Sequence, residues 1–223
     1  MLRLMSMVRY GALGRLRNGC FLVFLLGASV AQAADRTIIA FGDSLTQGFG
    51  LPAAQGFVPQ LEHWLTGQGL TVRVINAGVS GDTTAGGKSR IDWTLSEPAD
   101  AILIGLGGND VLRGLPPAVA RNNMDYILNA ATQKGLQVLL IGMQAPLNYG
   151  ADYKTSFDAI YPDLAAKYDV ALYPSFFAAF AGQGDVPAQL GENIQADGLH
   201  PSAIGVQRIV AHMGPAVLDV LAD

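Results

Sequence analysis

Short apolar runs alternate with stretches of helical period along almost the whole of this chain, and that alternation restricts the possible folds more than any other feature. The strand candidates are residues 37–41, 71–75, 101–106, 137–141 and 170–173. The run Ala101-Ile102-Leu103-Ile104-Gly105-Leu106 has no polar position on either face, as expected of a strand buried on both sides. Between the strands, residues 57–65 place Phe57, Val58, Leu61, Trp64 and Leu65 on one helical face. Residues 118–131 do the same with Val119, Met124, Ile127, Leu128 and Ala131, and residues 154–168 with Phe157, Ile160, Tyr161, Leu164 and Ala165. The terminal run 203–221 carries Val206, Ile209, Val210, Met213, Val217 and Leu221. Strands that alternate with helices imply a parallel sheet covered on both faces, hence one three-layer α/β/α domain. No repeat, low-complexity tract or second domain interrupts it.

The first residues stand outside this pattern. Arg3, Arg9, Arg15 and Arg17 precede an apolar stretch, Cys20 to Val30, which is too short to span a bilayer comfortably. Ala31-Gln32-Ala33 then supplies a small-x-small site, so residues 1–33 read as a secretory signal peptide and residues 34–223 as the folded domain. Cleavage is expected after Ala33, with Ala34 as the alternative. Removing four of the 14 basic residues leaves 10 against 18 acidic ones, net −8. Such a balance disfavours nucleic acid and anionic membrane surfaces as partners. The only cysteine, Cys20, leaves with the signal, and it precedes the apolar core that a lipid-acylated cysteine would follow. The expected product is a soluble periplasmic or secreted monomer with no stable membrane anchor.

Polar residues able to carry chemistry fall just after strands, where open parallel sheets bind ligands. Asp43 and Ser44 follow the first strand; either can simply cap the next helix, but Ser44 also stands where a nucleophile would. A serine nucleophile needs a base, and the base an orienting carboxylate. Of three histidines, His63 and His212 fall off the apolar stripes of their helices and read as solvated. His200 lies in the turn Asp197-Gly198-Leu199-His200-Pro201, whose spacing lets Asp197 meet one ring nitrogen and leaves the other for Ser44. Oxyanion donors are available from the Ser44 and Gly81 backbone N–H groups and the Asn109 side chain. Gly78 competes with Gly81, and Asn109 can equally brace an Asx turn. Asp82 and Asp110 read as loop-bracing groups.

These residues carry a resemblance. Gly42-Asp43-Ser44-Leu45, Ser80-Gly81-Asp82-Thr83, Gly107-Gly108-Asn109-Asp110 and Asp197-Gly198-Leu199-His200-Pro201 resemble, in order, the sequence blocks of the GDSL, or SGNH, hydrolases. The resemblance implies a flavodoxin-like fold with five parallel strands, and catalytic Ser44, Gly81, Asn109, Asp197 and His200. Residues 106–115 (LGGNDVLRGL), 145–150 (APLNYG) and 157–164 (FDAIYPDL) are similar to the bacterial periplasmic thioesterase I/lysophospholipase/arylesterase branch. That similarity implies hydrolysis of acyl thioesters, lysophospholipids and aryl or short-chain esters.

The expected activity is therefore ester or thioester hydrolysis through an acyl-enzyme on Ser44, acting on a small molecule with an acyl chain. No cofactor or metal is expected, because no second histidine or cysteine pair accompanies His200. Leu45, Leu112, Leu147 and Tyr149, with Leu115 and Pro116 nearby, are candidates for an acyl groove or for ordinary packing. Arg113 is either a substrate contact or a surface charge. A polysaccharide or peptidoglycan O-acetylesterase using the same residues, and a binding module without turnover, are the competing readings.

Overall fold

In a computed structural model, which describes residues 36–181 and 191–222, five strands form one parallel sheet in the order β2-β1-β3-β4-β5. They are β1 (Arg36–Gly42), β2 (Val72–Gly78), β3 (Ala101–Gly105), β4 (Gln137–Ile141) and β5 (Ala171–Tyr173). This is the flavodoxin-like order, with its switch point beside β1. Successive strand residues feed opposite faces. Ile38, Ala40, Leu103, Leu139 and Ile141 join one core, with residues of α2 (Phe57–Gly67) and α8 (Ala203–Ala222). Ile39, Phe41, Ile102, Ile104, Val138 and Leu140 join the other, with residues of α3 (Thr84–Thr94), α5 (Pro117–Gln133), α6 (Ala151–Asp158) and α7 (Ile160–Tyr168). Both faces of the central strands β1, β3 and β4 are apolar, so these read as continuous runs, whereas the edge strands β2 and β5 are partly exposed. The predicted signal segment, its cleavage positions Ala33 and Ala34, and Cys20 lie outside the described residues.

Several expectations need correction. The single helix expected over residues 154–168 is two, α6 and α7, joined at Ala159. Pro162 lacks the N–H that would bond the carbonyl of Asp158, so the ladder breaks there. Val119, expected on the buried stripe of α5, is 45% exposed, and Ala120 takes its place in the core. Helix α3 shows no apolar stripe at all. Its buried face is Thr84, Gly87, Ile91 and Thr94, of which only Ile91 is large and apolar. Gly87 admits Leu106 there; a Cβ would sit 2.3 Å from the Leu106 Cδ1. His212 is not merely solvated, since its Nδ1 lies 2.6 Å from the buried Tyr173 hydroxyl.

Two short helices sit directly on the carboxyl edge of the sheet: α1 (Ser44–Gln47) and α4 (Gly108–Leu112). Helix α1 can approach because Gly42 and Gly78, paired across β1 and β2, have no side chains. A Cβ on Gly42 would fall 2.1 Å from Thr46 Oγ1, and one on Gly78 would fall 2.4 Å from the Gln47 nitrogen. Arg90, on α3, ties the same edge together. Its guanidinium donates to the Gly42 and Ala77 carbonyls, each at 2.8 Å, bonds Asp82 at 2.7 Å, and lies over the Phe41 ring.

Arg90→Met keeps the aliphatic contact with Phe41 but removes the guanidinium from Asp82 and the Ala77 carbonyl, and leaves the Gly42 carbonyl with only the Val79 N–H. Urea unfolding should show a loss of about 2–3 kcal/mol, because breaking a largely buried, hydrogen-bonded ion pair strands its partners. A loss below about 0.5 kcal/mol would mean that water replaces the guanidinium freely.

Candidate active site

Each polar group at the sheet edge is held by a local device. Asp43 is the N-cap of α1: its Oδ1 accepts from the Leu45 N–H at 3.0 Å. The cap thus falls on Asp43 and leaves the Ser44 side chain free of that duty. Ser44 becomes the first residue of the helix, and its Oγ lies 2.8 Å from His200 Nε2. His200 Nδ1 lies 2.6 Å from Asp197 Oδ2. Asp197 Oδ1 also accepts the Leu199 and His200 backbone N–H groups at 2.9 and 3.0 Å, which fixes the turn. Gln195 fastens that turn to the α1 side by donating to the Phe49 carbonyl at 2.8 Å.

Asn109 is presented by α4, which starts at Gly107 with φ of +117°. Glycine is required there, since a Cβ would meet the Tyr161 hydroxyl at 2.2 Å. The Asn109 amide nitrogen donates to the Asp82 carbonyl at 3.0 Å and faces Asp43 Oδ2 at 3.3 Å. Gly81 has φ of +83°, its carbonyl accepts from Arg113 at 2.9 Å, and no other described residue engages its N–H. The Ser44 N–H is likewise open among the described residues. Gly78 differs, because its N–H bonds Asn76 Oδ1 at 3.0 Å. Its role is the close approach of α1. Asp82 and Asp110 act as braces: Asp82 holds Arg90, and Asp110 takes both the N–H and the hydroxyl of Thr84.

Ser44, Gly81, Asn109 and His200 line one cavity of about 410 Å³. Its walls are mostly apolar, with Leu45, Phe49, Val111, Leu112, Met143 and Phe177 among them. Of the four groove candidates, only Leu45 and Leu112 line it. Leu147 is 67% exposed and Tyr149 packs on Tyr153, so both sit outside the cavity. Their place in the loop after β4 put them near the site in sequence, but Met143, Gln144 and Pro146 occupy its wall instead. Phe49 was missed, although the flanking Gly48 and Gly50, both at positive φ, mark the turn that brings its ring 4.7 Å from that of His200. Among the described residues, no group of three or more His, Cys, Asp or Glu is placed to hold a metal ion.

Two carboxylates flank this chemistry with opposite tendencies. Burial pushes Asp43 up to about 6, against the hydrogen bonds from Leu45 and Asn109. Burial also raises Asp197, but the His200 and Leu199 N–H groups and the imidazole outweigh it and hold the carboxyl down to about 2. Asp197 is therefore an anion at neutral pH and well into the acid range. A neutral imidazole with one nitrogen anchored by that anion and the other facing a serine hydroxyl can accept the serine proton.

Residues 40–208 match the GDSL-like Lipase/Acylhydrolase family. The chain is 38% identical over 207 residues to the "Esterase TesA" of Pseudomonas aeruginosa, covering 92% of this chain and 98% of that protein. It is 34% identical to the "Thioesterase 1/protease 1/lysophospholipase L1" of Escherichia coli K12, covering 82% and 83%. Among solved structures, AlinE4, described as an SGNH-hydrolase family esterase, superposes with a TM-score of 0.69 at 43% identity, covering 86% of this chain and 99% of that one. The chain belongs to the GDSL-like lipase/acylhydrolase family.

The raised Asp43 sets a stability prediction. The folded state keeps the Asp43 proton up to about pH 6, whereas the unfolded chain releases it near 4, so stability falls as pH rises between those values. Asp43→Asn keeps the cap and removes the titration. Relative to that variant, the wild type should gain on the order of 2–3 kcal/mol between pH 7 and pH 4 in urea unfolding. A difference independent of pH would show that the carboxyl is not held near 6.

Proposed function

We propose that this member of the GDSL-like lipase/acylhydrolase family is a serine esterase and thioesterase that hydrolyses acyl esters through an acyl-enzyme on Ser44. The observation that carries the reading is the relay from Ser44 Oγ to His200 Nε2 and from His200 Nδ1 to Asp197, set in the wall of an apolar cavity. His200 takes the Ser44 proton as Oγ attacks the carbonyl carbon. The Ser44 and Gly81 N–H groups and the Asn109 amide receive the oxyanion. Collapse breaks the bond to the leaving oxygen or sulfur, which takes the proton from His200. Water then repeats the sequence on the acyl-Ser44 ester and releases the acid. The relatives named esterase and thioesterase/lysophospholipase support the same substrate classes.

The apolar wall of Leu45, Phe49, Val111, Leu112, Met143 and Phe177 favours medium or long acyl chains over an O-acetyl group on a polysaccharide. Export through a signal over residues 1–33, followed by action as a monomer in the periplasm or medium, completes the proposal.

Turnover of the mature protein on p-nitrophenyl acetate, butyrate, octanoate and palmitate, and on palmitoyl-CoA, tests it. Activity should rise beyond acetate and vanish in Ser44→Ala, while a fluorophosphonate should label Ser44 stoichiometrically. Asn109→Ala should lose on the order of 100- to 1,000-fold in kcat. Activity confined to acetate would shift the assignment to an O-acetylesterase; no turnover and no labelling would mark a binding module.

A further inference from the structure

We propose that Asp43 is a positioning residue for the reaction: its buried carboxylate holds the Asn109 amide with nitrogen, rather than oxygen, presented to the cavity. This rests on the reading of Asn109 as an oxyanion donor. An asparagine amide is nearly symmetric in shape, and only its neighbours decide which end faces the substrate. Here Asn109 Nδ2 faces two acceptors, the Asp82 carbonyl at 3.0 Å and Asp43 Oδ2 at 3.3 Å. Turning the amide over would set its oxygen against a carbonyl and a carboxylate. The bond to Asp82 fixes one proton. The longer contact with Asp43 aims the second without binding it tightly, so a developing oxyanion can share it.

The carboxylate cannot swing away, because its other oxygen caps α1 through the Leu45 N–H. One acidic side chain thus couples the helix that carries Ser44 to the helix that carries Asn109. Capping alone does not account for it. Asparagine and serine cap a helix as well as aspartate does, and neither brings a charge to a position only 2% exposed. What aspartate adds is an acceptor with no donor of its own, the one property that leaves the Asn109 orientation unambiguous. The burial that pushes this carboxyl up to about 6 is a cost either alternative cap would avoid.

A double-mutant cycle tests the proposal, with kcat and KM measured at pH 8 on the best p-nitrophenyl ester. Asp43→Asn and Asp43→Ser keep an α1 cap, and thermal melting checks that both are folded. In the wild-type background each should lower kcat by about tenfold or more while KM changes by less than about threefold. In an Asn109→Ala background the same substitutions should change kcat by less than about threefold, because the group they orient is gone. Equal losses in both backgrounds would show that Asp43 acts through the fold and would overturn the proposal. Unimpaired turnover in both single variants would overturn it too. Failure of the underlying reading looks different: Asn109→Ala would then stay within about tenfold of wild type, and both assignments would fall together.

Discussion

The site depends on one steric condition, the contact of α1 with a sheet edge stripped of side chains. Gly42 and Gly78 are register partners at the carboxyl ends of β1 and β2; the Thr46 side chain of α1 fills the space a Cβ on Gly42 would need, and the α1 backbone at Gln47 that of a Cβ on Gly78. Only then does Ser44 reach hydrogen-bond distance of an imidazole held by a distant loop. The glycines carry no chemistry, yet they set the height of Ser44 above the sheet. Arg90 secures the same edge by donating to the strand-end carbonyls of Ala77 and Gly42, the second of which also accepts the Val79 N–H at 3.0 Å.

Around that edge, environment separates chemically identical groups. Asp43 and Asp197 are both carboxylates beside the same reacting centre. Asp43 is enclosed and offered few donors; Asp197 lies in a turn whose N–H groups converge on it. One is costly to ionise and the other hard to protonate. Asp110, also enclosed, spends its oxygens on Thr84 and thereby joins the start of α3 to α4, and Asn123 adds a donor to the same hydroxyl. The active edge is therefore a polar mesh resting on two apolar cores, with each strand end tied to its neighbour by a side chain from elsewhere in the chain.

Much of this was legible in the sequence. The central strands were visible because both of their faces are apolar, and β4 matches its expected span at both ends. Helices with a broad apolar stripe, such as α8, were equally plain. Helix α3 was not, because its buried face is built from threonines and glycine that fit a close neighbour rather than from large apolar residues. Ser44, His200 and Asp197 could be singled out because turn chemistry and strand ends mark such positions locally, whereas Gly81 was separated from Gly78, and Asn109 from an Asx-turn role, only by the family resemblance. The cavity wall could not: Phe49, Met143 and Phe177 become neighbours only through tertiary packing, and Leu147 and Tyr149, close in sequence, turn away. Arg90 looked like any helical cation, since the carbonyls it serves have no signature in sequence.

The distance along the chain between Ser44 and His200, 156 residues, bears on how the protein reaches its working state. The sheet and most of its helices are encoded before residue 181, whereas the imidazole arrives with the segment that leads into α8. Contacts so far apart in sequence carry the closure entropy of a long chain segment, which their partners' packing must offset. On the proposed mechanism, turnover therefore reports whether this loop has closed, which a far-ultraviolet signal does not.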